Sequence, residues 1–94
     1  MQKKTDSASN ELLRSLRFCV IDLETTGGNP DTEKIIEIGM VKIENRKISE
    51  ERSFLINPEK EIPDFVQKLT GIRKADVEHS PKIEEVMDEI IQFI

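Results

Sequence analysis

A chain of 94 residues with 36% hydrophobic content is one domain or part of one, with a modest core burying roughly 60–70% of the unfolded surface. Its formal net charge of −5 argues against a broadly basic phosphate-binding face, although bound divalent cations would reverse the field locally. No apolar run nears the ~20 residues of a membrane span, no signal-peptide stretch follows Met1, and one cysteine excludes an internal disulfide. A cytoplasmic location is therefore expected.

Residues 1–17 read as an N-terminal arm. Residues 1–9 are polar, and Asn10 is placed to cap a short helix over residues 10–17, with Leu12, Leu13 and Leu16 on one side. Such a helix covers the chain's own sheet, the alternative being a docking arm. Next comes Phe18-Cys19-Val20-Ile21-Asp22-Leu23-Glu24-Thr25-Thr26-Gly27, whose apolar first half predicts a strand buried on both faces. Alternation puts Phe18, Val20, Asp22 and Glu24 on one face and Cys19, Ile21 and Leu23 on the other. Asp22 and Glu24 then lie about 6–7 Å apart along the strand. Two like charges on a half-buried face call for a cation, and the stretch holds no Arg or Lys. A divalent metal answers this, and carboxylate oxygens favour Mg²⁺ or Mn²⁺. Turn formers from Thr25 to Pro30 leave the acids at the strand's mouth, and Gly27 to Glu33 reads as a polar loop.

Residues 34–43 predict a second strand, with Ile35, Glu37, Gly39, Val41 and Ile43 on one face and Ile36, Ile38 and Met40 on the other. Glu37 is an acid among apolar neighbours, read as supporting the metal site through hydrogen bonds to nearby polar groups, or as an acid reaching water. Gly39 implies close packing against its face. Glu44-Asn45-Arg46-Lys47 carries the turn chemistry of a hairpin, and residues 47–56 return antiparallel with Ile48, Phe54 and Ile56 on the apolar face.

Pro63 opens a short helix with Phe65, Val66 and Leu69 pointing inward, and Gly71 closes it in the left-handed conformation. A loop through Lys74, Asp76 and His79 follows. Ser80-Pro81 starts a longer helix whose Ile83, Val86, Met87, Ile90, Ile91 and Ile94 form an amphipathic core stripe. A helix in this place normally delivers a parallel fourth strand beside the first. Without that strand one edge of the first strand is open, so edge pairing or self-association is expected of the chain folded alone.

Val20-Ile21-Asp22-Leu23-Glu24-Thr25-Thr26-Gly27 resembles the first motif of the DnaQ-like DEDD 3′→5′ exonucleases, related to the DNA polymerase III epsilon subunit. Ile35-Ile36-Glu37-Ile38-Gly39 resembles that family's second strand, and Leu69-Thr70-Gly71-Ile72 the turn closing its first helix. The resemblance implies an α/β fold with a ribonuclease H-like mixed sheet, here incomplete: three N-terminal strands with an antiparallel hairpin beside the central strand, a short helix and a long one. Residues 18–94 would be the N-terminal part of the domain.

By the same resemblance, Asp22 and Glu24 are the catalytic metal ligands. Asp22 bridges two divalent cations (Mg²⁺ or Mn²⁺) and Glu24 holds one of them. Thr25, Thr26 and Gly27 lie against the 3′-terminal nucleotide, Gly27 letting the backbone turn. The implied substrate is a single-stranded DNA 3′ end, with RNA as the alternative, and the implied partners are a DNA polymerase or a helicase domain. Thr25-Thr26 resembles the proofreading and helicase-fused members more than the oligoribonuclease type. The family's later acids and histidine have no counterpart here, so turnover by these residues alone is expected to be very low.

Three other readings are weighed against this one. His79 and Glu84 mimic a histidine–acid pair, but the acid type, Pro81 between them and their place in the chain make His79 a solvated loop residue. A nucleoside triphosphatase needs a Gly-Lys-Ser/Thr loop, which the sequence lacks. The remaining alternative is a non-catalytic remnant or small α+β interaction module in which Asp22 and Glu24 simply face water.

Overall fold

A computed structural model describes residues 11–12 and 15–94. Strands β1 (Arg17–Thr25), β2 (Ile35–Glu44) and β3 (Lys47–Leu55) form one antiparallel sheet in the order β1-β2-β3. Helices α1 (Asp64–Thr70), α2 (Lys74–Val77) and α3 (Ile83–Phe93) follow. The short α2 replaces the loop expected there. Asn10 and Leu13 of the expected N-terminal helix lie outside the described residues. Glu11, Leu12 and Ser15 are helical, and Arg17 already belongs to β1.

The hairpin forms as its turn residues dictate. Asn45 and Arg46 both take positive φ (52° and 65°), the pattern of a two-residue turn whose twist matches the flanking strands. Two irregularities then decide which side chains are buried. Glu24 pairs with Glu37 but Thr25 with Ile35, so Ile36 is an extra residue on β2. Lys42 pairs with Glu50 but Ile43 with Ile48, so Ser49 is extra on β3. Each bulge inverts the alternation beyond it.

The core is accordingly divided between the two faces. Phe54 and Leu55, adjacent in β3, point to opposite sides. On the Phe54 side, Ile38, Met40 and Ile56 pack against Val86, Ile90 and Phe93 of α3. On the Leu55 side, Ile36 packs with Ile62, Val66, Ile72 and Val77 around α1 and α2. The bulge explains why Ile36 parts company with Ile38, although simple alternation joins them. The bulge at Ser49 likewise takes Ile48 away from the expected apolar face and leaves it 60% exposed. Lys42 and Arg52 close the α3 end of the sheet by lying over the Phe93 ring, at 4.7 and 6.0 Å from its centre.

Burial departs from the sequence pattern in three places. β1 is not buried on both faces: Phe18, Val20, Ile21 and Leu23 are each about half exposed. The cause is its position at the sheet edge, paired with β2 alone, while the helices cover β2 and β3. This is the open edge that the topology implies. Cys19, a free thiol, is half-buried where it reaches the α3 cluster. Second, α1 buries Val66 but leaves Phe65 and Leu69 exposed, because only one of its sides meets the second cluster. Third, α3 buries Val86, Ile90 and Phe93, whereas Met87, Ile91 and Ile94 face outward.

Helix ends follow local chemistry. Gly71 closes α1 at φ 76°, as its sequence position predicts, with its N–H donating to the Gln67 carbonyl. Helix α3 begins two residues later than Ser80-Pro81 suggests, where the Lys82 N–H donates to Glu85 Oε1 at 3.2 Å.

Candidate active site

The sheet register brings the acids together. Asp22 stands opposite Gly39 and Glu24 opposite Glu37, and cross-strand partners share a face. Asp22, Glu24 and Glu37 thus line the face of the sheet away from α3. Asp22 is exposed, and Glu24 and Glu37 are half-buried. Among the described residues no cation forms an ion pair with any of the three. Nor do three His, Cys, Asp or Glu side chains converge on one point among them. Gly39 is not squeezed as its sequence context suggests, since a Cβ there would lie 3.9 Å from the Asp22 carbonyl oxygen, an ordinary contact. What its missing side chain does is leave space beside Asp22.

This donor set fits a divalent ion in part. Asp22 and Glu24 are adjacent hard carboxylates, accessible and without a counter-charge among the described residues. Mg²⁺ sites are commonly built from one or two carboxylates, with water and substrate phosphate completing the shell. Glu37 sits behind Glu24 across the pair, where a like charge directly opposite is unfavourable until a cation arrives.

The turn after β1 is held more tightly than its composition implies. Thr26 is fully buried. Its N–H donates to the Lys34 carbonyl at 2.8 Å, and its hydroxyl accepts from the Lys34 N–H at 2.9 Å while donating to Glu33 Oε1 at 2.8 Å. Thr26 therefore presents neither a free hydroxyl nor a free N–H to anything arriving from outside. The Thr25 hydroxyl donates to the Gly27 carbonyl, and the Gly27 N–H points back to it at 3.3 Å. Gly27 has no positive φ. A Cβ at this position would lie 3.0 Å from Glu33 Cγ and Cδ, close enough that the Glu33 side chain would have to give way by a few tenths of an ångström.

Glu33, in the segment that sequence presents as a polar loop, is the residue that sequence reasoning missed. Its Oε1 accepts from Lys60 Nζ at 2.8 Å and its Oε2 from the Thr32 hydroxyl at 3.1 Å. Lys60 also donates to the Thr32 carbonyl at 3.2 Å. The Lys60 hydrogen bond foremost, then that of Thr26, holds the Glu33 carboxyl below its ordinary value of 4.5, against the opposing effect of partial burial. A folded value below the unfolded one contributes stability that is complete above about pH 4.5 and is lost as pH falls through the folded value. Acid denaturation should therefore be steeper below about pH 4.5 in the wild type than in Glu33→Gln. Parallel curves from pH 6 downward, followed by circular dichroism, would refute this contribution. Asp76, held low chiefly by the Arg73 N–H, titrates in both proteins and cancels in the difference.

His79 is 92% exposed and lies beside Glu78, as expected of a solvated loop residue. A cleft of about 400 Å³ is lined in part by Lys34, Ile56, Lys60 and Ile83 but not by Asp22, Glu24 or Glu37. Both members of the Glu33–Lys60 pair line it. Among the described residues no helix is long and apolar enough to cross a membrane.

A family model described as exonuclease (RNase T) matches residues 19–94. The chain is 48% identical over 79 residues to the 3′-5′ exonuclease DinG of Bacillus subtilis, covering 83% of this chain and 8% of that protein. It is 45% identical over 76 residues to the PolC-type DNA polymerase III of Caldanaerobacter subterraneus, covering 81% and 5%. With the DNA polymerase III subunit epsilon of Aquifex aeolicus it shares 40% over 77 residues, covering 82% and 38%. The chain thus spans well under half the length of these relatives. Among solved structures, exonuclease X in complex with 5′ overhanging duplex DNA superimposes with a TM-score of 0.69 at 30% identity, over 77% of this chain and 42% of that one. The nuclease domain of 3'hExo, a DEDDh family member bound to rAMP, does so with 0.72 at 27% identity, over 82% and 42%. The incomplete ribonuclease H-like sheet expected from sequence is the arrangement found.

Proposed function

The chain belongs to the exonuclease family, and on that premise we propose that residues 18–94 are the N-terminal part of a 3′→5′ exonuclease domain acting on DNA in proofreading or repair. The observation that carries the reading is the pair Asp22 and Glu24, side by side on one strand, accessible and with no cationic partner among the described residues. Asp22 would bridge two divalent ions, Mg²⁺ or Mn²⁺, and Glu24 would hold one. Such ions, when bound, activate a water and offset charge at the scissile phosphate and leaving 3′ oxygen. Glu37, opposite Glu24, would support the metal site through hydrogen bonds to neighbouring polar groups. Thr25 and Gly27, with Thr26 buried behind them and locked by Glu33 and Lys34, would form the wall against the terminal nucleotide.

Two carboxylates hold a divalent ion weakly, so turnover by these 94 residues alone is expected to be very low. Binding is the better readout. Two of the named relatives are DNA polymerases, which supports DNA as the substrate and a polymerase as the partner, with a helicase domain as the alternative. The free Cys19 suits a reducing, cytoplasmic setting. Fluorescence anisotropy with Mn²⁺ should show at least threefold tighter binding to single-stranded DNA with a free 3′ end than to the same strand blocked at that end. Equal binding to both strands, or binding indifferent to Mn²⁺, would contradict the proposal and favour an interaction module.

A further inference from the structure

The hydrogen bonds around Glu33 join the turn after β1 to the entry to β2, and both to the segment after β3, 27 residues further along the chain. We infer that Glu33 is a positioning residue, acting with Lys60 to set the conformation of the Thr25–Gly27 segment and so the wall that receives the terminal nucleotide. Only the role of that wall rests on the exonuclease reading; the clasp itself is read from contacts.

Three observations make Glu33 the keystone of the turn. Its Oε1 receives both the buried Thr26 hydroxyl and the Lys60 ammonium, each at 2.8 Å. Thr26 is fully buried, so losing the acceptor strands its hydroxyl away from water. The stem of Glu33 fills the space where a side chain at position 27 would go, at 3.0 Å. A carboxylate fixed by Lys60, Thr26 and Thr32 cannot swing aside as a solvent-exposed glutamate would. The turn is thereby clamped from within, its threonine inward and its glycine flush against the clamp. Lys60 reaches from the loop after β3 and transmits the position of that loop to the turn.

The test is a double-mutant cycle with an independent spectroscopic readout. In Glu33→Ala, amide hydrogen exchange at Thr26 and Lys34 should accelerate at least tenfold while Met40 and Val41 in mid-sheet stay within twofold. Affinity for single-stranded DNA with a free 3′ end in Mn²⁺ should fall at least fivefold, with Mn²⁺ affinity itself within twofold. Glu33→Gln, which keeps an acceptor for the Thr26 hydroxyl, should restore most of both losses. Gly27→Ala should perturb the Thr25–Gly27 amides in the wild-type background but not in the Glu33→Ala background, where its Cβ has room. Should Glu33→Ala not fold, Lys60→Met removes only the ammonium and should accelerate the same two amides to a smaller extent. Unchanged exchange at Thr26 and Lys34 in every Glu33 and Lys60 variant would overturn the inference, as would Gly27→Ala acting equally in both backgrounds. Intact coupling in a wild type that ignores DNA 3′ ends would uphold the clasp and sink the exonuclease reading.

Discussion

Replacing Ile36 by alanine is expected to destabilise the fold by about 2–5 kcal/mol, the range for truncating a fully buried isoleucine. Ile36 has no exposed surface. It is the extra residue of the β2 bulge, and it carries the sheet's contact with Ile62, Val66, Ile72 and Val77. The gap left by alanine would open between elements that relax poorly, since β2 is hydrogen-bonded on both sides. The companion Phe65→Ala should shift stability by no more than about 0.5 kcal/mol, because Phe65 is 65% exposed. Urea unfolding of the two variants separates the structure from the simpler sequence pattern. Comparable losses at both positions would mean that α1 turns its Phe65–Leu69 side inward after all.

The contrast between Ile36 and Phe65 shows what sequence conveys here. Strand alternation, the Asn45-Arg46 turn and the Gly71 helix stop are local signals, and each element forms where they indicate. The bulges are not legible. One extra residue changes no composition, yet it sends Ile36 to the opposite face from Ile38 and frees Ile48 to solvent. The α3 pattern predicts a wholly buried stripe because amphipathicity shows which residues prefer burial, not how much neighbouring surface exists to bury them. The same reasoning misjudges β1. Its apolar run suits a central strand, but within this chain it has one neighbour.

The candidate site is partly legible for similar reasons. Asp22 and Glu24 stand out because two acids interrupt an apolar run, and the strand period places them together. Glu33 carries no such signal, because its partner Lys60 lies 27 residues away and joins it only after β3 has turned back. The motif presents Thr26 to a ligand, whereas its hydroxyl is turned inward to Glu33. Only a fully buried threonine beside a glycine with no left-handed φ reveals that the turn is built from inside.

Asp22 and Glu24 are proposed as metal ligands, and calorimetric titration of Mn²⁺ into the wild type and into Asp22→Ala decides whether they are. Asp22, Glu24 and Glu37 share one face with no cation paired to them among the described residues, an arrangement of like charges that a divalent ion would relieve. Removing one of two carboxylate ligands should weaken Mn²⁺ binding at least tenfold, about 1.4 kcal/mol. Without metal, Asp22→Ala should be as stable as the wild type or slightly more so, because the mutation removes repulsion and buries nothing. Weak wild-type binding that the mutation abolishes is the predicted result. No Mn²⁺ binding by the folded wild type, or equal binding by both proteins, would contradict the account.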